Sequence, residues 1–120
     1  MSLVETNLLN ALTRALDLTA QRQNLLTQNV ANIDTPGYHA RDIDFRRQLE
    51  QALDFGDEQA APVFAQEVPG LVARPDGNNV DIDRESLLMA QNQLQYQTEV
   101  ALLRSEMNRL QTAISGGTGQ

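Results

Sequence analysis

Leu9, Leu12, Leu16, Thr19, Gln23, Leu26, Val30 and Ile33 follow one another at alternating spacings of three and four, and six of these eight positions are apolar. Such spacing keeps side chains on one face of a helix and is the pattern of a helix that packs along another. No proline or glycine interrupts residues 3–33, which predicts a single helix there, roughly 45 Å long at the usual rise per residue. The far end repeats the design with Met89, Gln93, Tyr96, Val100, Leu103, Met107, Leu110 and Ile114. Asp83 is placed to cap this second helix, with Ile82 and Leu87 at the two positions of a hydrophobic staple. The glycines of "SGGTGQ" are expected to end it and to leave a mobile tail.

Both helices also carry apolar residues away from these stripes. Leu18 and Leu25 fall nearly opposite Leu9 and Leu16, and Leu87 and Leu94 nearly opposite Met89 and Tyr96. A two-helix hairpin buries one stripe per helix, and a fully buried leucine contributes about 1.5–3 kcal/mol. The off-stripe leucines are therefore expected to be covered by other chains, although single exposed leucines are common enough on ordinary surfaces.

Between the helices the pattern is shorter and mixed. "DFRRQLEQALDF" predicts a short helix with Ile43, Leu49 and Leu53 turned inward. "VFAQEVPGLVAR" predicts a hairpin, because Pro69-Gly70 supplies type II turn residues between two β-favouring runs. "RPDGNNVDID" reads as a second turn leading into the last helix. The expected fold is mainly α: two long terminal helices paired as an antiparallel coiled coil, with a small irregular, β-containing middle lobe. The divisions are an N-terminal helix over 1–33, a turn motif and acidic middle lobe over 34–82, and a C-terminal helix with a flexible tail over 83–120.

The stretch "NVANIDTPGYHARDIDF" has the densest turn chemistry in the chain. Asn29 and Asn32 lie in the last turn of the first predicted helix, where asparagine tolerates left-handed geometry and can bond free carbonyls. Thr35 precedes proline and is pushed to extended angles. Pro36 and Gly37 suit the central positions of a type II turn, Asp34 can accept amide bonds within it, and Tyr38 is a rigid anchor with a polar tip. Together these residues describe a joint of fixed geometry better than a flexible linker.

Composition narrows the function classes. Residues 34–85 hold twelve acids and five arginines and so carry the whole net charge of −7, while both ends are neutral. An acidic centre opposes nucleic-acid binding, since phosphates would be repelled. Without cysteine there are neither disulfides nor thiolate metal sites. No window approaches a membrane span, and the N-terminus lacks the basic leader and apolar run of a conventional secretory signal. Catalysis fares poorly. His39 is the only histidine, with Asp42 and Asp44 its nearest carboxylates and no nucleophile in its neighbourhood. Asp81 and Asp83 are more simply explained by helix capping. "DGNNVDIDRE" departs from a calcium loop at its fifth, sixth and twelfth positions. No enzyme, cofactor, metal site or small-molecule substrate is expected.

A long helix ending in "QNVANIDTPGY" and followed by "HARDIDF" resembles the N-terminal signature of the flagellar axial proteins, the rod and hook group, and is most similar to its proximal rod subtype. "NNVDIDRESLLMAQNQLQYQTEVALL" is similar to the closing segment of that group. The resemblance implies a structural role in the rod, the shaft that crosses the periplasm in the flagellar basal body. It further implies terminal helices paired in an inner layer, and export by the flagellar type III apparatus without a cleaved signal. The implied partners are copies of the same chain, neighbouring rod proteins and the protein joining rod to membrane ring. Carried over, Asn29, Asn32, Asp34, Thr35, Pro36, Gly37 and Tyr38 shape the turn out of the inner helix, and the residues of the two stripes form the tube wall. The chain departs from the group in a short acidic middle and in Thr98-Glu99, where smaller or apolar residues are expected. Composition alone also admits a small acidic helical chaperone or adaptor of a secretion system, which predicts a stable dimer and gives "DTPGY" no role.

Overall fold

A computed structural model describes residues 3–55 and 63–118, built in the order α1 (Leu3–Ala31), β1 (Arg41–Asp42), α2 (Phe45–Phe55), β2 (Gln66–Glu67) and α3 (Ile82–Thr118). The molecule measures 71 × 26 × 18 Å because its two long helices lie side by side. They run antiparallel: Asn29, Gln23 and Thr19 of α1 meet Glu85, Asn92 and Glu99 of α3 in reverse order. The mainly helical architecture with a small β element in the middle is the one the periodicity predicts.

Helix α1 stops two residues before its last patterned position, so Ile33 belongs to the turn. Helix α2 is capped by Asp44, whose Oδ1 accepts from the Arg47 amide at 3.1 Å. It packs on α1 through Gln48 and Ala52 rather than Leu53, which is 53% exposed. Ile43, expected inside, is buried, and Leu49 is half-buried. An outward Leu53 follows from the helix period: with Gln48 and Ala52 on the inner line, the next residue turns about 100° away.

Three boundary details differ from expectation. The cap of α3 is Asp81, not Asp83: Asp81 Oδ1 accepts from the amides of Asp83 at 2.9 Å and Arg84 at 3.4 Å. With the cap at Asp81 the two staple positions fall on Val80 and Glu85, so no apolar staple forms, and both Ile82 and Leu87 are exposed. Second, α3 continues through Gly116 and Gly117 to Thr118. A glycine ends a helix by adopting positive φ, and among the described residues only Gly37, Gly70 and Gly77 do so. The rest of the expected tail, 119–120, lies outside the described residues. Third, Pro69-Gly70 does turn, with Gly70 at φ 81, but the segment after it does not fold back as a strand. β2 instead pairs antiparallel with β1, Arg41 opposite Glu67 and Asp42 opposite Gln66. The segment after the turn is committed elsewhere, since the Arg74 amide donates to Asn78 O at 2.8 Å, and Val72 is left 90% exposed.

The core lies where α1 is covered on two flanks, by α3 and by α2 with its leading strand. It consists of Ala15, Leu18, Leu26, Ala40, Ile43, Ala52 and Val80. Leu18, expected to face another chain, is fully buried within its own, because the middle lobe covers that side of α1. Leu87 and Leu94 are exposed.

Candidate functional site: the joint and the helix seam

The turn after α1 is built from local amides and one distant loop. Thr35 N donates to Asn32 O at 3.0 Å, and Tyr38 N donates to Thr35 O at 3.2 Å across Pro36 and Gly37, with Gly37 at φ 75. This is the type II arrangement, in which only the third residue needs positive φ. The Gly37 amide donates to Asp76 O at 2.9 Å. Asp34 is exposed and none of these amides goes to it; Asn32 Oδ1 instead accepts from the Thr35 hydroxyl at 3.1 Å. Asn32 also donates through Nδ2 to Gln28 O at 2.8 Å, a carbonyl that already accepts from the Asn32 backbone amide at 3.0 Å.

Asn29 is completely buried at the centre of the joint. Its Nδ2 donates to Arg41 O at 2.8 Å and to Glu85 Oε2 at 3.1 Å, while its Oδ1 accepts from Arg41 N at 3.0 Å and the Tyr38 hydroxyl at 3.1 Å. One amide therefore ties α1 to β1, to the anchor tyrosine and to the first turn of α3.

The second turn, 74–80, locks onto the first. Gly77 N donates to Arg74 O at 2.8 Å, and Gly77 sits at φ +85 with its absent Cβ position 3.3 Å from Gly37 Cα. Buried Asn78 donates through Nδ2 to Asn32 O and Thr35 O, each at 2.8 Å. Asn79 Oδ1 accepts from Ala40 N at 2.7 Å. The Arg74 guanidinium donates to Ile33 O and, at 2.7 Å, to Val80 O. Its charge thus lies at the carbonyl end of α1, where the helix dipole favours a cation. Arg22 and Asp42 close the other side with a two-pronged ion pair, both contacts 2.9 Å.

The seam between α1 and α3 is polar along its centre. Glu85, Asn92, Glu99 and Glu106 recur every seven residues and are all buried. Asn92 Nδ2 donates to Thr19 O at 3.1 Å and Gln23 Oε1 at 2.9 Å. The buried Thr19 hydroxyl lies 2.8 Å from both Ala15 O and Glu99 Oε2, with one proton to serve the two. Gln95 donates to Glu99 Oε1 at 2.9 Å, and Arg109 pairs with Glu106.

Apolar stripe residues flank this line. Leu9, Leu12, Leu16, Val30 and Ile33 are half-buried and Leu26 is fully buried. On α3, Met89, Val100, Leu103 and Leu110 are half-buried, whereas Tyr96, Met107 and Ile114 are exposed. Thr98-Glu99, the departure noted in the sequence, divides accordingly: Thr98 faces outward and Glu99 inward.

The residues weighed for catalysis have structural partners. His39 is exposed, its Nδ1 3.3 Å from Glu67 Oε2, Asp42 is held by Arg22 and Asp81 caps α3. Among the described residues no group of three or more His, Asp or Glu is placed to hold a metal, and no helix is long and apolar enough to cross a membrane.

The family described as "Flagella basal body rod protein" matches residues 9–39, the span from the start of the α1 stripe through the joint. Curated relatives extend the likeness across the chain. The flagellar basal body rod protein FlgB of Yersinia enterocolitica is 36% identical over 123 residues, covering 86% of this chain and 90% of the relative. The chain belongs to the FlgB family. The FlgB protein of Bacillus subtilis (strain 168) is 36% identical over 125 residues, 92% of each chain, and that of Cereibacter sphaeroides is 39% identical over 115 residues.

Sequence reasoning missed Arg74, Asn78 and Asn79 as parts of the joint, and Glu85 and Asn92 as parts of the seam. For the seam a signal existed: the seven-residue recurrence of Glu85, Asn92, Glu99 and Glu106 is visible in the sequence once polar positions are searched as well as apolar ones. For the joint the only clue was a second Pro-Asp-Gly turn.

Proposed function

We propose that this FlgB family chain is a structural subunit of the proximal flagellar basal-body rod, the shaft that transmits torque to the outer flagellum. Its partners are copies of itself, neighbouring rod proteins and the protein joining the rod to the membrane ring. It reaches the rod through the flagellar type III export apparatus without a cleaved signal. The observation that carries the reading is that helix α3 buries a line of polar residues at the centre of its contact with α1 and leaves large apolar side chains exposed. Leu87 is 59% and Leu94 65% exposed, and each lies two residues, about 200° of helix rotation, from the buried Glu85 or Asn92. Leu102, Met107 and Ile114 extend the exposed apolar surface along the same helix. Such a surface is costly on a lone molecule and favourable when subunits stack, at about 1.5–3 kcal/mol per leucine fully covered.

In this reading, residues 1–33 and 83–120 form the inner wall and residues 34–82 a small outer lobe. Asn29, Asn32, Asp34, Thr35, Pro36, Gly37 and Tyr38 hold the angle between them, and the chain is not an enzyme. Torque passes through many repeated contacts, and a face-to-different-face contact that does not close into a ring grows into a filament, as a shaft requires. The test is a clean deletion of the coding sequence with complementation. Loss of swimming, with the chain recovered in basal bodies purified from the complemented strain, is expected. A motile deletion strain, or basal bodies lacking the chain, would overturn the proposal.

A further inference from the structure

Beside the seam, between α1 and α3, lies an open cleft of about 290 Å³ lined by Gln23, Asn24, Asn92, Gln93 and Tyr96 among others. Asn92 is 2% exposed, and its Oδ1 has no hydrogen-bond partner among the described residues. Its Nδ2 already donates inward to Thr19 O, so turning the amide over would set oxygen against a backbone carbonyl. Asn92, one of the residues lining the cleft, therefore holds a fixed, buried acceptor with no donor among the described residues, an arrangement that proteins rarely leave uncompensated.

We propose that this cleft receives an arginine side chain from a second copy of the chain, an inference that rests on the rod-subunit reading. Three features select a guanidinium. The free group is an acceptor. Tyr96, 42% exposed at the rim, offers a ring face on which a planar cation stacks. No cationic residue lines the cleft, and the buried Glu99 carboxylate one turn along α3 from Tyr96 accepts from the neutral groups of Thr19 and Gln95.

The same chain supplies the donor. All of its basic residues are arginine, and most are engaged within the chain: Arg22 with Asp42, Arg74 with two carbonyls, Arg84 with Glu85. Arg47 and Arg104 are exposed and have no side-chain hydrogen bond or ion pair among the described residues. Arg104 belongs to the two-helix part of the molecule, where the exposed apolar surface also lies, and is the first choice of donor. Arg47 on α2 is the second.

Charge reversal across the contact tests this in cells. Gln93→Arg puts a cation on the exposed rim without touching the folded seam, so the purified variant keeps its helical circular dichroism. The expected result is a loss of at least about tenfold in the amount of chain recovered in basal bodies. Gln93→Glu is expected to retain incorporation. Adding Arg104→Glu, or failing that Arg47→Glu, to Gln93→Arg should restore incorporation to within about twofold of the unmodified chain. Rescue by neither, or full incorporation of Gln93→Arg alone, overturns the proposal. Absence of even the unmodified chain from basal bodies would instead refute the rod reading on which it rests.

Discussion

Asn29 is the side chain on which both long helices and the first strand converge, and its four hydrogen bonds make it the most sensitive position in the joint. Replacing it with alanine strands the Arg41 amide and carbonyl and removes one donor from the Glu85 carboxylate, which keeps Arg84. At roughly 1–3 kcal/mol for each buried group left unpaired, Asn29→Ala should lower unfolding free energy by about 3 kcal/mol in urea titrations. Asn29→Asp, nearly isosteric, should be worse, because it faces one carboxylate with another. The glycines rank similarly by geometry. Gly37→Ala and Gly70→Ala each force a side chain into positive φ with open space around it, at about 1–2 kcal/mol. Gly77→Ala adds a contact 3.3 Å from the Gly37 backbone and should cost more than either in the same titration. The two Pro-Gly turns are legible in the sequence because turn chemistry is local. The partners of the joint are not, since Asn78 and Arg74 act on residues more than forty positions earlier and nothing in their own neighbourhood says so.

At the scale of the elements, the helices separate what holds one molecule together from what remains for others. Leu18 and Leu94 have the same side chain and opposite surroundings, buried against the middle lobe and 65% exposed. Leu18→Ala should destabilise the purified chain by about 3–5 kcal/mol, the range for a buried leucine, whereas Leu94→Ala should change it by less than about 0.5 kcal/mol. Their effects on incorporation into basal bodies should not follow that order, with Leu94→Ala impaired despite its intact fold. Spacing in threes and fours identifies both helices and their pairing. It does not identify the line at the centre of the contact, because a stripe of this width spans several positions and buried polar residues pass as surface ones. That is why Glu85 and Asn92 read as ordinary polar positions and Leu18 as an outward one. The local hairpin failed for a related reason, as β2 found its partner in a strand that the linear pattern could not place beside it.

The whole molecule is narrow, 71 Å long, and its net charge belongs to residues 34–85, while the stretches before and after them are neutral. Deleting residues 1–20 removes most of one half of the hairpin, including Leu18 and Thr19, and should abolish both secretion and assembly, measured as the amounts of chain in culture medium and in basal bodies. The central claim is that the outward face of α3 is left bare by its own fold and is covered only in the rod. Because the chain contains no cysteine, a single Leu94→Cys substitution makes this measurable by maleimide labelling of the purified protein and of intact basal bodies. Rapid labelling of the free subunit with at least tenfold protection in basal bodies is the predicted result; equal labelling in the two states would contradict it.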